Sequence, residues 1–468
     1  MTRHVSAQVD GFKACLGGEE LKRACATLSG ALISGKLPVR QTSGGNTSRG
    51  RGAGTAPLIA LAEDADLHVR ELAFAARQYA VATAEQPDDY DALYNHGLVL
   101  QELSGKLQPA SAEQAAMLQQ ACSRYEAALL LKPSSHAALY NWGVALSDLA
   151  RAVKQSSPAE AVAALHLASQ KYAESLQLHP RNPQALNNWG LVLQELSSDA
   201  RDWLERDALV RSAMDKFRLA LRSRPDFDRG CYNLGTVFYT FAMALQSDTD
   251  APASRQAKDL SVRTLLAVAA QYICLAHALQ PAKEIYRKSL SVVRQMLPLP
   301  FLRAGYLTAP RSRSIGTVTE TYRRDWFVLD HRSLRQASSM EASLSTAGAG
   351  VLSSSSGQRA AAPGVSASAA AAGVAGGDDE PLVLALAELL AVRRCAEPSL
   401  PEGGGLWVST AGVPTGVYLV ADDADAADAW VDALVLCQHL VGSHCSEALE
   451  EALAPTPAKR KQSAALAM

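Results

Sequence analysis

Long apolar runs are missing from this chain. No stretch of 18 or more apolar residues occurs among its 468, so the sequence offers no membrane-spanning helix. Nor does the N-terminus carry the hydrophobic stretch of a secretory signal. Paired cysteines are absent as well. The eight present (Cys15, Cys25, Cys122, Cys231, Cys274, Cys395, Cys437, Cys445) are scattered without a C-x-x-C, which points to a reducing compartment and thiols used as small core hydrophobes. Cys437, His439, His444 and Cys445 lie close in sequence but match no metal-site spacing, so no metal site is expected. An excess of one charge is lacking too: the net charge is −2, and no global field selects nucleic acid. Signatures of nucleotide, nucleophile and zinc chemistry (G-x-x-x-x-G-K-[ST], G-x-G-x-x-G, G-x-S-x-G, H-E-x-x-H) do not occur. The sequence names no catalytic residue and no cofactor, and the expectation is a non-enzymatic protein.

What is present is a repeat. Residues 92–97 (Ala-Leu-Tyr-Asn-His-Gly), 138–143 (Ala-Leu-Tyr-Asn-Trp-Gly), 185–190 (Ala-Leu-Asn-Asn-Trp-Gly) and 230–235 (Gly-Cys-Tyr-Asn-Leu-Gly) align. A second pattern, Ala-x3-aromatic-x2-Ala-x4-Pro, runs between them at Ala75/Tyr79/Ala82/Pro87, Ala121/Tyr125/Ala128/Pro133 and Ala213/Phe217/Ala220/Pro225. Degenerate copies stand at Ala168/Tyr172/Ser175/Pro180 and Ala269/Ile273/Ala276/Pro281. From Pro87, Pro133, Pro180 and Pro225 to the next glycine is always 10 residues, and from leading alanine to proline always 12. Only the glycine-to-alanine interval varies: 24, 25, 23 and 34. That asymmetry predicts helix–turn–helix units in which the proline turn is fixed by stacking and the loop within each unit is free to grow outward. Small residues mark close helix crossings, the aromatic fills the space beside them, and proline stops the second helix. One unit cannot bury its apolar face alone, so stability must come from stacked neighbours.

These columns resemble the tetratricopeptide repeat, although the period of 45–56 exceeds that repeat's usual ~34 residues. HEAT and armadillo periods of about 40–47 fit the length but not the two patterns locked in register. The resemblance implies a groove that takes up a segment of a partner protein. Asn95, Asn141, Asn188 and Asn233 recur one helix apart. Two readings stay open for them: amides lining the groove, or amides tying adjacent units together. The Lys and Asn of the carboxylate clamp of cochaperone repeats are replaced by Tyr94, Tyr140 and Tyr232 before the glycine and Leu98, Val144 and Leu191 after it, so that clamp is absent.

Beyond residue 298 the alphabet changes. Strand-like runs appear at 301–308, 325–330, 405–410 and 417–421, then an amphipathic helix over about 425–440 with Ala427, Trp430, Val431, Leu434 and Val435 on one face. Gly305-Tyr-Leu, Trp326-Phe-Val-Leu and Val417-Tyr-Leu-Val-Ala-Asp before a helix bearing Trp430 resemble a pleckstrin-homology domain. Residues 337–379, almost wholly Ala, Ser and Gly, interrupt it as an insert too poor in large hydrophobics to order itself. No third strand is legible before that insert. The resemblance implies a lipid- or anion-binding rim of Arg303, Arg311, Arg313, Arg323 and Arg324. Arg303 matches the family's first basic position and Arg323 opens its basic-x-basic pair, but Asp325 stands at the third position, and a partner-binding fold with a solvated basic loop is the competing reading.

The expected fold class is therefore multidomain α plus β: an all-α tetratricopeptide-type solenoid over 65–298, then a small pleckstrin-homology-like β-sandwich with C-terminal helix over 299–443. A basic, flexible leader (1–60, eight Lys/Arg against three Asp/Glu) and a disordered tail (446–468) flank them. The order of motifs at 92–97, 138–148, 183–197, 296–300 and 304–310 is similar to the plant hypersensitive-to-latrunculin-B family, and the Ala/Gly/Ser bias of the leader and insert suggests a green alga. That resemblance implies an adaptor or scaffold, cytoplasmic and peripheral on the trans-Golgi network and early endosome. It would serve vesicle trafficking with a link to the actin cytoskeleton. The partners implied are proteins in the groove and an anionic phospholipid such as a phosphoinositide, with no nucleic acid. An organelle assembly factor of the chloroplast is the alternative.

Overall fold

A computed structural model describes residues 67–247, 255–296, 301–310, 322–337, 381–443 and 446–453. The chain divides into two compact units, the first ending at Ser223 and the second beginning at Arg224.

The first unit is built of antiparallel helix pairs: α1 (Leu67–Glu85), α2 (Tyr90–Ser104), α3 (Ala112–Leu131), α4 (His136–Val153), α5 (Pro158–Leu178), α6 (Pro183–Ser198) and α7 (Trp203–Ser223). The turn after each proline ends in a side-chain cap. Asp89, Ser135 and Asn182 accept from backbone N–H groups in the first turns of α2, α4 and α6, satisfying donors that a helix start leaves orphaned. The glycines mark the crossings. A Cβ on Gly97 would lie 2.7 Å from the Tyr125 ring, on Gly143 2.8 Å from Tyr172, and on Gly190 2.7 Å from Phe217. The alanines flanking those rings (Ala121, Ala128, Ala168, Ala213, Ala220) are fully buried. Ser175, the degenerate member, recovers its polarity by donating to the His136 carbonyl at 2.8 Å.

One expectation fails in an instructive way. The variable interval does not grow as a loop. Among the described residues it extends the helices, leaving the connections 105–111, 154–157 and 199–202. Alanine-rich helix satisfies its own backbone hydrogen bonds as it lengthens, which a loop cannot do without other partners.

The second unit begins with α8 (Asp228–Ser247), α9 (Arg255–Leu279) and α10 (Glu284–Met296). The glycine rule holds again here, with Gly235 against Ile273. Strands β1 (Arg303–Pro310), β2 (Tyr322–Leu329), β3 (Ser333–Ala337), β4 (Val383–Ala385), β5 (Leu389–Arg394), β6 (Gly404–Thr410) and β7 (Val413–Ala421) follow, then α11 (Ala424–Gly442) and α12 (Ser446–Leu453). The sheet runs β4-β3-β2-β1-β7-β6-β5, antiparallel throughout. β1 and β7 share only two residue pairs, Leu307↔Ala421 and Thr308↔Val420, so one sheet folds at that corner into two layers. Helix α11 packs against β5, β6 and β7, with Trp430 buried and its ring edge near Gly305. This is the pleckstrin-homology-like sandwich with its C-terminal helix.

Three strands went unread in the sequence: β4 and β5, which fall in the stretch after the insert, and β3, Ser-Leu-Arg-Gln-Ala, which has one large hydrophobic residue, Leu334, facing the core. The insert expected over 337–379 lies outside the described residues except for Ala337, which ends β3; so does the leader 1–60. The tail expected to be disordered from 446 instead begins with α12, whose Leu449, Ala452 and Leu453 are buried. Among the described residues one helix stretch, Ser261–Leu279, is long and apolar enough to cross a membrane, and most of it is buried within the fold.

Candidate functional site

Helices α2, α4 and α6 present the same face, because their glycines are in register. Counting from each glycine, an asparagine stands two before, an aliphatic residue one after and an acid five after. The sets are Asn95/Leu98/Glu102, Asn141/Val144/Asp148 and Asn188/Leu191/Glu195. Residues at i, i+3 and i+7 share one side of a helix. None of the nine is buried; Leu191 and Glu102 are exposed and the others half-exposed.

The rows are tied across the repeats. Asn141 donates its amide to the Tyr94 hydroxyl at 2.8 Å, and Asn188 does the same to Tyr140 at 3.2 Å. Both tyrosines belong to the preceding unit, so for these two residues the geometry realises the inter-unit tie. Asn95 sits half-exposed on the same face. Asn233 belongs to α8 of the second unit. The acids are paired too: Glu102 with His68 at 3.0 Å and Glu195 with Lys154 at 3.4 Å join different elements, while Asp148 meets Arg151 of its own helix at 2.6 Å. Burial raises the Asp148 carboxyl pKa against the opposing pull of Arg151 and Gln101. These links hold the side chains in place without covering them, which lowers the entropy a ligand must remove.

A further column went unread in the sequence. The residue before each glycine meets a cation one residue before each aromatic: Lys171 lies 4.6 Å from the Trp142 ring centroid and Lys216 4.2 Å from Trp189. The first copy replaces the tryptophan with His96, whose pKa is pushed down to about 4 by burial and by Arg124. The signal was available as a basic residue before Tyr125, Tyr172 and Phe217.

In the second unit the arginines expected to share one rim do not. β1 pairs with β2 so that Arg303 faces Leu329, while Arg323 and Arg324 face Ala309 and Thr308. Five or six residues of strand, roughly 17–20 Å, separate the two ends. Arg303 turns to the α11 end: its Nη1 donates to Gln271 Oε1 at 3.1 Å, its Nη2 to the Ala426 carbonyl at 3.4 Å, and its guanidinium lies 4.8 Å from the Trp430 ring. At the other end Arg323 is exposed and chelates Asp325, the acid that breaks the expected basic pair. Arg324 forks onto Asp422 with two bonds of 2.8 Å and covers the Tyr306 ring at 3.7 Å. That pairing raises the Arg324 pKa and lowers that of Asp422. Arg311 and Arg313 lie outside the described residues.

Cys437 is buried in α11 with its thiol pKa raised by burial, His439 lies on the same helix, and His444 and Cys445 fall outside the described residues. Among the described residues no group of three His, Cys, Asp or Glu converges on a point.

Comparison with known proteins gives no match among curated sequences. One family model, described as plant-specific mitochondrial import receptor subunit TOM20, matches twice, over 70–185 and 170–318. The two overlapping matches span 70–318, just over half of the 468 residues, and run from α1 through β1. By its helical repeats this chain therefore belongs to the plant-specific TOM20 family.

Proposed function

We propose that the chain is a non-enzymatic adaptor whose α2/α4/α6 face takes up a segment of a partner protein bearing apolar and basic side chains. The observation that carries this reading is the threefold register of amide, aliphatic and acid on one half-exposed face. The aliphatic row offers apolar contact, the amides offer backbone hydrogen bonds, and the acids favour cations and disfavour an acidic segment. The Arg323/Arg324 rim serves as a weaker attachment to an anionic membrane. Each basic residue near such a surface contributes about 1 kcal/mol, screened by salt. The ion pairs to Asp325 and Asp422 reduce that contribution.

The motif order at 92–97, 138–148, 183–197 and 296–310, which resembles the hypersensitive-to-latrunculin-B family, supports one reading of the place of action. On this reading the adaptor works at the trans-Golgi network and early endosome, in vesicle traffic linked to actin. A second reading, an organelle-import or assembly receptor, is favoured by the family match, whose description is that of a mitochondrial import subunit. Localising a tagged full-length chain separates the two.

Fluorescence anisotropy with synthetic peptides tests the binding face. An apolar-basic peptide should bind the full chain, its acidic counterpart should not, and Val144→Lys with Leu191→Lys should weaken binding at least tenfold. Equal binding of both peptides would sink the proposal. For the rim, sedimentation with phosphatidylserine/phosphoinositide liposomes at low salt should fall on Arg323→Glu with Arg324→Glu.

A further inference from the structure

The sandwich and the helix α9 share a buried polar joint, and its members come from three distant parts of the chain. Gln271 and Tyr272 sit side by side on α9, both at most 1% exposed. The Gln271 amide donates to the Ala429 carbonyl at 3.0 Å while its oxygen accepts from Arg303 at 3.1 Å. The Tyr272 hydroxyl donates to Asp432 Oδ2 at 2.8 Å, and Asp432 is only 3% exposed. Arg303 completes the arrangement by bonding the Ala426 carbonyl and lying beside Trp430. Burying a carboxylate and an amide beside a half-buried guanidinium is tolerable only while each has its partners, because an unpartnered buried polar group costs far more than a made bond returns. The joint is therefore high-stakes: fully made or not made at all.

The composition of α9 agrees. Its stretch Ser261–Leu279 is long and apolar enough to cross a membrane, and after the exposed Ser261, Arg263 and Thr264 most of it is buried. A helix that is hydrophobic on every side must be covered on every side. Within this unit α8, α10, α11, α12 and β1 all pack on it. The sandwich is thus the cover that lets so apolar a helix stay in water, and the polar joint fixes the register of that cover.

We infer that Arg303 is a joint residue, and that α9 and α11 form one cooperative body which opens as a whole. The C-terminal sandwich is accordingly no autonomous membrane-binding module: its first basic residue is committed to α9, and whatever the far rim binds is carried by the helices as well.

Hydrogen exchange on the full chain tests this, read by mass spectrometry for peptides from α9 (262–279), α11 (424–442) and α4 (136–153). Tyr272→Phe keeps the ring and removes one donor to Asp432. It should speed exchange in α9 and α11 by the same factor, about tenfold, and leave α4 unchanged. Arg303→Met, which keeps an apolar stem, should do the same to α9 and α11 and add β1. Arg324→Met, at the opposite end of the strand pair, should leave α9 as it was. Faster exchange in one helix without the other, unchanged exchange in both, or an equal response to Arg324→Met would overturn the inference.

Discussion

The two units of this chain rely on different contacts for most of their stability. In the first unit one solution is used three times: a glycine, the ring that fills its notch, and small residues on either side, at Gly97/Tyr125, Gly143/Tyr172 and Gly190/Phe217. The second keeps one such crossing, Gly235 against Ile273, and adds the α9–sandwich joint, used once, by residues as far apart in sequence as Tyr272 and Asp432. Repetition distributes stability over equivalent contacts between neighbours, so damage stays local. A unique joint concentrates it, so damage spreads to everything the joint holds.

The sharpest way to break that comparison is at a repeat glycine. A Cβ on Gly143 would stand 2.8 Å from the Tyr172 ring, which is fully buried and has nowhere to go. Gly143→Ala gains about 1 kcal/mol of helix propensity but meets that ring, and a net loss is expected. Gly143→Leu should cost about 3 kcal/mol, the upper end of ordinary overpacking. Hydrogen exchange should loosen α4 and α5 first, with α9 and α11 unaffected. Loosening of α9 to the same extent would mean the repeats are not locally coupled at all.

Acid should distinguish the copies within the first unit. His96 is buried and its folded pKa is about 4, below the unfolded value of about 6.5. As pH falls through 6.5 the unfolded chain takes up a proton that the folded chain refuses, so stability declines down to about pH 4 and then levels. Burial lowers His166 in the same direction. The contribution from His96 is on the order of 2 kcal/mol, and His96→Trp, which restores the residue of the other two copies, should abolish that part of the pH dependence. Thermal melts from pH 7 to pH 4 measure it; an unchanged slope in the variant would assign the acid sensitivity elsewhere.

Much of the first unit was legible because its sequence states the same rule repeatedly. Fixed intervals of 10 and 12 residues located the turns, and the glycine–aromatic columns located the crossings. The strands bearing Tyr306, Phe327 and Val417 and the helix bearing Trp430 were legible from composition. What stayed hidden was whatever happens once. β3 carries a single large apolar residue, and the partner of Arg303 lies on a helix that periodicity assigned to the repeats. A basic residue two before Gly305 reads as a headgroup ligand until the register shows that it sits at the wrong end of the strand pair. Of the candidate face, the Asn column was visible and its tyrosine partners were not, because a hydrogen bond spanning 47 residues leaves no local mark.

Slack is also handled differently in the two regions, and deletion can test this. In the repeats extra residues became helix; between β3 and β4 they join neighbouring strands of one antiparallel pair, with Arg335 opposite Val383 and Gln336 bonded to Leu382 on both sides. Removing 340–377 should leave that pairing intact. Loop closure becomes easier with each halving of length, so the domain should gain up to about 1–2 kcal/mol rather than lose stability. A drop in its melting temperature would show that the insert contributes contacts.

The smallest expected effect completes the comparison, since it places the same substitution in the other environment. Gly305 lies in β1 beside Trp430, as Gly143 lies beside Tyr172, and both belong to motifs that the sequence brought forward. The distances differ: a Cβ on Gly305 would meet Trp430 Cζ2 at 3.7 Å, an ordinary van der Waals contact. Its backbone is not in the left-handed region that would require glycine. Glycine within a strand carries an entropic penalty of roughly 0.5–1 kcal/mol relative to alanine. Gly305→Ala should therefore be neutral or stabilising by about 0.5 kcal/mol, while Gly143→Ala destabilises. The pair of melts, run on otherwise identical full-length chains, isolates packing distance from residue type. Should Gly305→Ala destabilise as much as Gly143→Ala, the tryptophan would have to sit closer to the strand than this structure places it, and the contrast between a tight periodic crossing and a roomier sandwich end would fail.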